Sequence, residues 1–115
     1  MVYRVVFQLN ESASSKVEGT LRNISHLIED LGPEGWQVEL VAHSDGIAAL
    51  YRRGNPRADT MAGLAERGVR LAACRRTMEE RGLTADDLLP AAQPVPSGIG
   101  ELVRREAEGW VYVHP

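Results

Sequence analysis

The pattern of apolar and polar positions changes period repeatedly along this chain, and each change marks an element. Residues 2–9, VYRVVFQL, are β-branched and aromatic and predict a strand. After the polar stretch NESASS, apolar residues recur at Val17, Leu21, Ile24, Leu27, Ile28 and Leu31 and line one face of a long amphipathic helix. Ser15-Lys16-Val17-Glu18 has capping-box form at its start, and Gly32-Pro33 stops it. WQVELVAH (36–43) predicts a second strand, followed by a short helix from Gly46 to Arg53 and a turn at Gly54-Asn55-Pro56. Asp59 or Thr60 can cap the next helix, which Gly68 ends.

VRLAAC (69–74) predicts the third strand. RRTMEER then makes about two helical turns before Gly82, and Thr84-Ala85-Asp86-Asp87 opens a further short helical piece. A brief strand follows at 93–95; Pro94 cannot donate to a ladder, which suits an edge. Ser97 caps a last helix, expected to turn Ile99, Leu102 and Val103 inward and to close at Gly109, and WVYV (110–113) is the final strand. Five strands alternating with helical crossovers predict a single-domain α/β three-layer sandwich with a mostly parallel sheet, Rossmann-like in the broad sense.

Composition narrows the function. A chain of 115 residues can bury a real core in one domain, and a net charge of −3 with a pI of about 5.6 opposes general nucleic-acid binding. The arginine pairs Arg52/Arg53, Arg75/Arg76 and Arg104/Arg105 are scattered and flanked by acids, and a solvated surface is expected for the first and last of them. No apolar run is long enough to span a bilayer, and the first residues read as a strand rather than a signal peptide, so a cytoplasmic location is expected. The turn after the first strand has neither Gly-x-Gly-x-x-Gly nor a Walker pattern, and no cofactor is expected.

Parallel sheets gather ligands beyond the C-terminal ends of their strands. Those ends carry Asn10-Glu11, His43-Ser44-Asp45-Gly46, Cys74 and Pro96-Ser97-Gly98. Cys74 is the only cysteine, so disulfide or sulfur-transfer chemistry needs a second molecule or subunit. It stands where a strand hands over to a helix, and the amides of that helix start, Thr77 three residues on, and Arg75 and Arg76 all favour a thiolate. A free cysteine is also a common packing residue, and sequence physics leaves these two readings level.

Spacing tests other thiol chemistries. A phosphatase or rhodanese-type loop would place arginine where Glu80 stands, and a thioredoxin-type site would place cysteine at Thr77; neither pattern is met. His43 could serve as base or hydrogen-bond partner to the thiol, or be a plain loop histidine. His26 belongs to a helix surface and His114 to the terminus, so Cys74 and His43 are too few for a metal site. Ser97-Gly98 could bind an anion through backbone amides or simply cap a helix. Trp36, Trp110 and Tyr112 suit core or subunit contacts.

These residues add up to a resemblance covering nearly the whole chain. VVFQLNE (5–11), LRNISHLIEDLG (21–32), VELVAHSDGIAAL (38–50), LAERGVRLAACRRTMEERGLTADDLLP (64–90) and VPSGIGELVRREAEGWVYVHP (95–115) resemble the DsrE/DsrF-like family, including its YchN-type members. The most specific part is GV-x-x-x-x-C-x-x-T-M followed by VPSG-x-x-EL and a terminal GW-x-Y. The resemblance implies a three-layer α/β fold, a homotrimer or homohexamer, and a cysteine, here Cys74, that carries persulfide sulfur between donor and acceptor proteins. His43 matches the histidine that often follows strand two, although the family commonly has His-Gly where this chain has His43-Ser44-Asp45-Gly46.

The leading expectation is therefore a sulfur-relay carrier, sulfurtransferase-like if it is an enzyme. Cys74 would be the nucleophile, supported by His43, Arg75, Thr77 and Asn10, with Ser97 and Gly98 as an anion-binding pair. The alternative is a non-catalytic oligomeric module that holds a small anion among Asn10, His43, Ser97 and Gly98, with Cys74 as pocket lining. Neither reading involves nucleic acid or a membrane.

Overall fold

The computed structural model describes residues 1–115. Its strands are β1 (Tyr3–Leu9), β2 (Trp36–Ala42), β3 (Arg70–Cys74), β4 (Ala92–Val95) and β5 (Val111–Val113). Its helices are α1 (Ser14–Leu31), α2 (Ala58–Glu66), α3 (Arg75–Glu80) and α4 (Gly98–Ala107), with 3-10 turns at Ser44–Leu50 and Ala85–Asp87. All strand pairs are parallel, in the order β4-β3-β2-β1-β5. Pro94 therefore lies on an edge strand, where its missing N–H costs no ladder bond.

This order and one handedness rule together place the helices. From β1 to β4 the chain steps one strand at a time in the same direction, and right-handed crossovers place every connection on one face. The step from β4 to β5 runs back across the whole sheet, so the same hand puts α4 on the opposite face. The core divides accordingly. Val5, Phe7, Leu9, Val38, Leu40, Ala42, Leu71 and Ala73 pack with Leu21, Ile24, Met61, Leu64 and Met78 on the first face. Val6, Val41, Ala72, Val95 and Leu102 form a much smaller cluster on the second, where α4 is the only helix. No helix is long and apolar enough to cross a membrane.

Several local expectations shift. Helix α1 starts one residue before Ser15, with Ala13 at its cap and no side-chain cap bond, so the Ser15–Glu18 box does not form. Arg57, rather than Asp59 or Thr60, precedes α2. The expected helix after β2 is a 3-10 turn. On α4 only Leu102 turns inward with Glu101; Ile99 and Val103 are 57 % and 62 % exposed. The reason is electrostatic: the second face carries buried Glu39, and α4 meets it with its polar side.

Glu39 is fully buried in the middle of β2. Its two oxygens accept from Arg70 Nε at 2.7 Å and Arg105 Nε at 2.9 Å, and Glu101 also reaches Arg105 at 3.4 Å. Arg105 stacks over Trp110 with its guanidinium 4.4 Å from the ring centroid. Burial, and next the neighbouring Glu101 carboxyl, push the Glu39 carboxyl above its ordinary value against the pull of Arg105 and Arg70. Burial also opposes charge on Glu101, yet its bond with Glu39 and the arginines around it hold that group below its ordinary value. Of the two carboxyls, Glu39 is thus the one held above its ordinary value and Glu101 the one held below it. This clamp joins β2, β3 and α4.

Candidate functional site

The topology singles out one crevice. Met78 packs into the first-face core, so α3 leaves β3 on that face, whereas α4 leaves β4 toward the second. Neighbouring strands whose connections diverge to opposite faces open a gap at their C-terminal ends, the place where open α/β sheets build their sites. Cys74 ends β3 and pairs in register with Val95, and Ser97-Gly98 follows β4. The crevice lies between them.

Side-chain alternation puts Cys74 on the second face with Ala72, and it is only 6 % exposed. As the residue capping α3, its Sγ accepts from the Thr77 amide at 3.5 Å. Burial pushes the thiol up, but the Thr77 hydroxyl and the amides of Thr77, Gly98 and Arg76 more than offset it, and the thiol lies below its ordinary value. Helix α3 is six residues long, so individual N–H and O–H groups hold this sulfur more than any macrodipole does. Arg75 and Arg76 are exposed; Arg76 acts through its backbone, and no side-chain bond ties Arg75 to the site.

Thr77 is fixed from both sides. Its Oγ1 accepts from the Ser44 amide at 3.0 Å, which leaves its own proton free to point at the sulfur. Ser44 is the one non-glycine residue at positive φ, 51°, a conformation that costs an L-residue about 1–2 kcal/mol. The strain aims its amide at Thr77. Two residues on, Gly46 is required by a close approach: a Cβ there would lie 2.1 Å from the Leu9 carbonyl oxygen.

His43 is buried and follows β2 on the same face. Its Nε2 lies 2.8 Å from Gln8 Nε2 and its Nδ1 3.1 Å from Ser44 Oγ. Its ring packs directly on Gly98, where an added Cβ would stand 2.9 Å from His43 Cβ. Burial, and then the nearby His114, push its pKa below the ordinary value, so the ring is neutral at pH 7. Both nitrogens are occupied by Gln8 and Ser44, so His43 reaches the sulfur through Ser44 and Thr77.

Of the residues singled out in the sequence, Cys74, Thr77, His43 and Gly98 meet here. Ser97 uses its Oγ to cap α4, accepting from Gly100 at 2.9 Å. Asn10 bonds His114 at 3.2 Å. Sequence reasoning missed Gln8, and placed Ser44 on the rim without giving it a role. Gln8 carried a signal, since a glutamine inside VVFQL is a polar residue on a strand bounded by core positions. No three His, Cys, Asp or Glu side chains gather to hold a metal ion.

Comparison with known proteins agrees with this architecture. A family model described as the DsrE/DsrF-like family matches residues 4–115. Among solved structures, a protein of unknown function, MTH1491 from Methanobacterium thermoautotrophicum, is 39 % identical with a TM-score of 0.93, over 98 % of this chain and 99 % of that one. The ychN protein from E. coli is 17 % identical with a TM-score of 0.80 over 100 % of both chains, a likeness of fold. No curated protein matches. With the family model spanning nearly every residue, this chain belongs to the DsrE/DsrF-like family.

Proposed function

We propose that the protein is a persulfide carrier in which Cys74 accepts a sulfane sulfur and passes it on. The family suggests a role related to sulfur relay. The observation that carries the finer reading is how Sγ is held: a single buried sulfur accepts from the Thr77 amide at 3.5 Å, and the Thr77 hydroxyl and the amides of Gly98 and Arg76 further favour its anion. A packing cysteine needs none of them.

The chemistry balances without an outside oxidant. The Cys74 thiolate attacks the outer sulfur of a donor persulfide, R–S–SH. A new S–S bond forms at Sγ, the donor S–S bond breaks, and R–S⁻ leaves with the electron pair. An acceptor thiolate then attacks the outer sulfur of the Cys74 persulfide, and Cys74 leaves as thiolate. In both steps the leaving or attacking anion is this sulfur, so the Thr77, Gly98 and Arg76 donors serve each direction. The partners are a donor and an acceptor protein, and the carrier works as a homotrimer or homohexamer in the cytoplasm. Ile99 and Val103, exposed on α4 just beyond Gly98, support such an assembly.

Incubation with a persulfide donor is expected to add about 32 Da, one sulfur, to the intact protein. The gain should be removed by reductant and absent in Cys74→Ser. Equal behaviour of the two proteins would end this reading.

A further inference from the structure

The second face carries a row of polar residues along its C-terminal rim, one from each of four adjacent strands: Tyr112 on β5, Gln8 on β1, His43 after β2 and Cys74 on β3. Gln8 is 8 % exposed, an uncharged polar side chain in the central part of the sheet. Both ends of its amide are engaged. Tyr112 donates its hydroxyl to Gln8 Oε1, and Gln8 Nε2 faces His43 Nε2 at 2.8 Å. An amide NH₂ can only donate, so His43 Nε2 must be the bare, accepting nitrogen. The ring proton then sits on Nδ1 and donates to Ser44 Oγ at 3.1 Å. The Ser44 amide in turn donates to Thr77 Oγ1 at 3.0 Å.

We propose that Gln8, clamped by Tyr112, is a positioning residue that holds His43 as the neutral Nδ1–H tautomer, and through Ser44 and Thr77 aims a hydroxyl proton at Cys74 Sγ. Gln8 touches neither the sulfur nor anything bound to it. Its effect runs through orientation alone: the bond from His43 to Ser44 Oγ holds the Ser44 residue, whose separate backbone amide meets Thr77 Oγ1. The arrangement also assigns His43 a role other than general base. With Nε2 filled by Gln8 and Nδ1 protonated, the ring cannot take the thiol proton, which must leave to solvent or to the incoming donor. The inference rests on the reading of Cys74 as a working thiolate.

The test uses the resting protein. In ¹⁵N-labelled wild type at pH 8, long-range proton–nitrogen correlation should show His43 with a protonated Nδ1 and a bare Nε2; an Nε2–H tautomer overturns the proposal. Gln8→Glu puts an acceptor-only carboxylate against Nε2 and should protonate that nitrogen. Tyr112→Phe, a change at a partly exposed position, frees the Gln8 amide and should give a mixture of tautomers. In Gln8→Met, the pH midpoint of iodoacetamide alkylation of Cys74 should rise by about half a unit, part of what losing the whole Thr77 hydroxyl bond would give. An unchanged midpoint in folded Gln8→Met also overturns it. Should that variant not fold, Tyr112→Phe carries the same readout, with a rise in the midpoint of about 0.3 unit expected and no change overturning it. None of these measurements needs a sulfur donor. Failure of sulfur uptake would leave them untouched, and a wrong tautomer would leave the uptake result standing.

Discussion

Removing the Thr77 hydroxyl is the sharpest probe of the thiolate. Thr77→Val keeps the side-chain shape at a position 4 % exposed and deletes one of the four donors at Sγ, while the amides of Thr77, Gly98 and Arg76 remain. A hydrogen bond to a charged partner is worth about 1.5–3 kcal/mol, and one to a neutral thiol far less. The differential loss is then about 1.5–2 kcal/mol, or about 1–1.5 pKa units at about 1.4 kcal/mol each. The rate at neutral pH reports this poorly. Where the thiol is mostly protonated the thiolate fraction falls ~10–30-fold, but a more basic thiolate is a better nucleophile, with a Brønsted slope of about 0.4–0.5, which returns ~3–5-fold. The net slowing is only ~3–6-fold.

The pH midpoint of alkylation is therefore the quantity to measure, by rate against pH from about 5 to 10. It should rise by about one unit in Thr77→Val and stay near wild type in Thr77→Ser, which keeps the hydroxyl. Folding should cost about 1 kcal/mol or less, because the Ser44 amide that loses its acceptor belongs to an exposed residue and can turn to water. A folded Thr77→Val whose midpoint moves by less than about 0.3 unit would refute the account of how this sulfur is held.

Other expectations follow from the same contacts. Gly98→Ala drives a methyl to 2.9 Å from His43 Cβ, so denaturant unfolding should show a loss of about 1–3 kcal/mol and alkylation a less acidic thiol. Burial depresses the His43 pKa, so the unfolded chain takes up more protons as pH falls through about 6.5; stability should drop there and level off below the folded value, and this step should vanish in His43→Gln. Glu39 has the opposite sign. Its folded pKa is raised, so the stability it contributes is present below the unfolded value and lost as pH rises through the folded one, and Glu39→Gln should gain on wild type as pH rises. Glu39→Leu should cost about 2–4 kcal/mol in unfolding experiments, because Arg70 and Arg105 lose their shared partner, with partial solvent exposure limiting the loss.

The elements were legible because each is locally self-consistent: the strands are β-branched, α1 has a clear apolar face, and Gly32, Gly68, Gly82 and Gly109 all take the positive φ that stops a helix. Cys74, Thr77 and Gly98 could be placed on one rim from strand ends alone. Strand order could not, because it depends on which face each crossover takes. The inward turn expected of Ile99 and Val103 failed for a related reason. Their spacing on α4 fits an apolar face, but the surface α4 meets contains Glu39, which looks like an outward position in WQVELVA and is fully buried. Ser44 is the plainest limit. Nothing in SDGIAAL says that a serine, with two residues to go before a glycine, will take the left-handed conformation.

That second face explains why the thiol sits where it does. Its apolar cluster has five buried residues, against 21 on the first. Helix α4 is thus held less by area than by the Glu39–Arg70–Arg105 clamp, whose geometry is directional. A helix docked by directional bonds arrives at one registry, and the start of α4 is what brings the Gly98 amide to Cys74 and its bare Cα against His43. The clamp and the site occupy opposite ends of the same helix and the same strands, which makes their coupling measurable. If α4 registry sets the sulfur's environment, Glu39→Gln, with one guanidinium still bonded, should leave the Cys74 alkylation midpoint within about 0.3 unit of wild type. Glu39→Leu should raise it by about half a unit or more, by loosening the Gly98 contact. Equal midpoints in both folded variants would mean that β4 and Ser97 alone position Gly98 and that the clamp serves only stability.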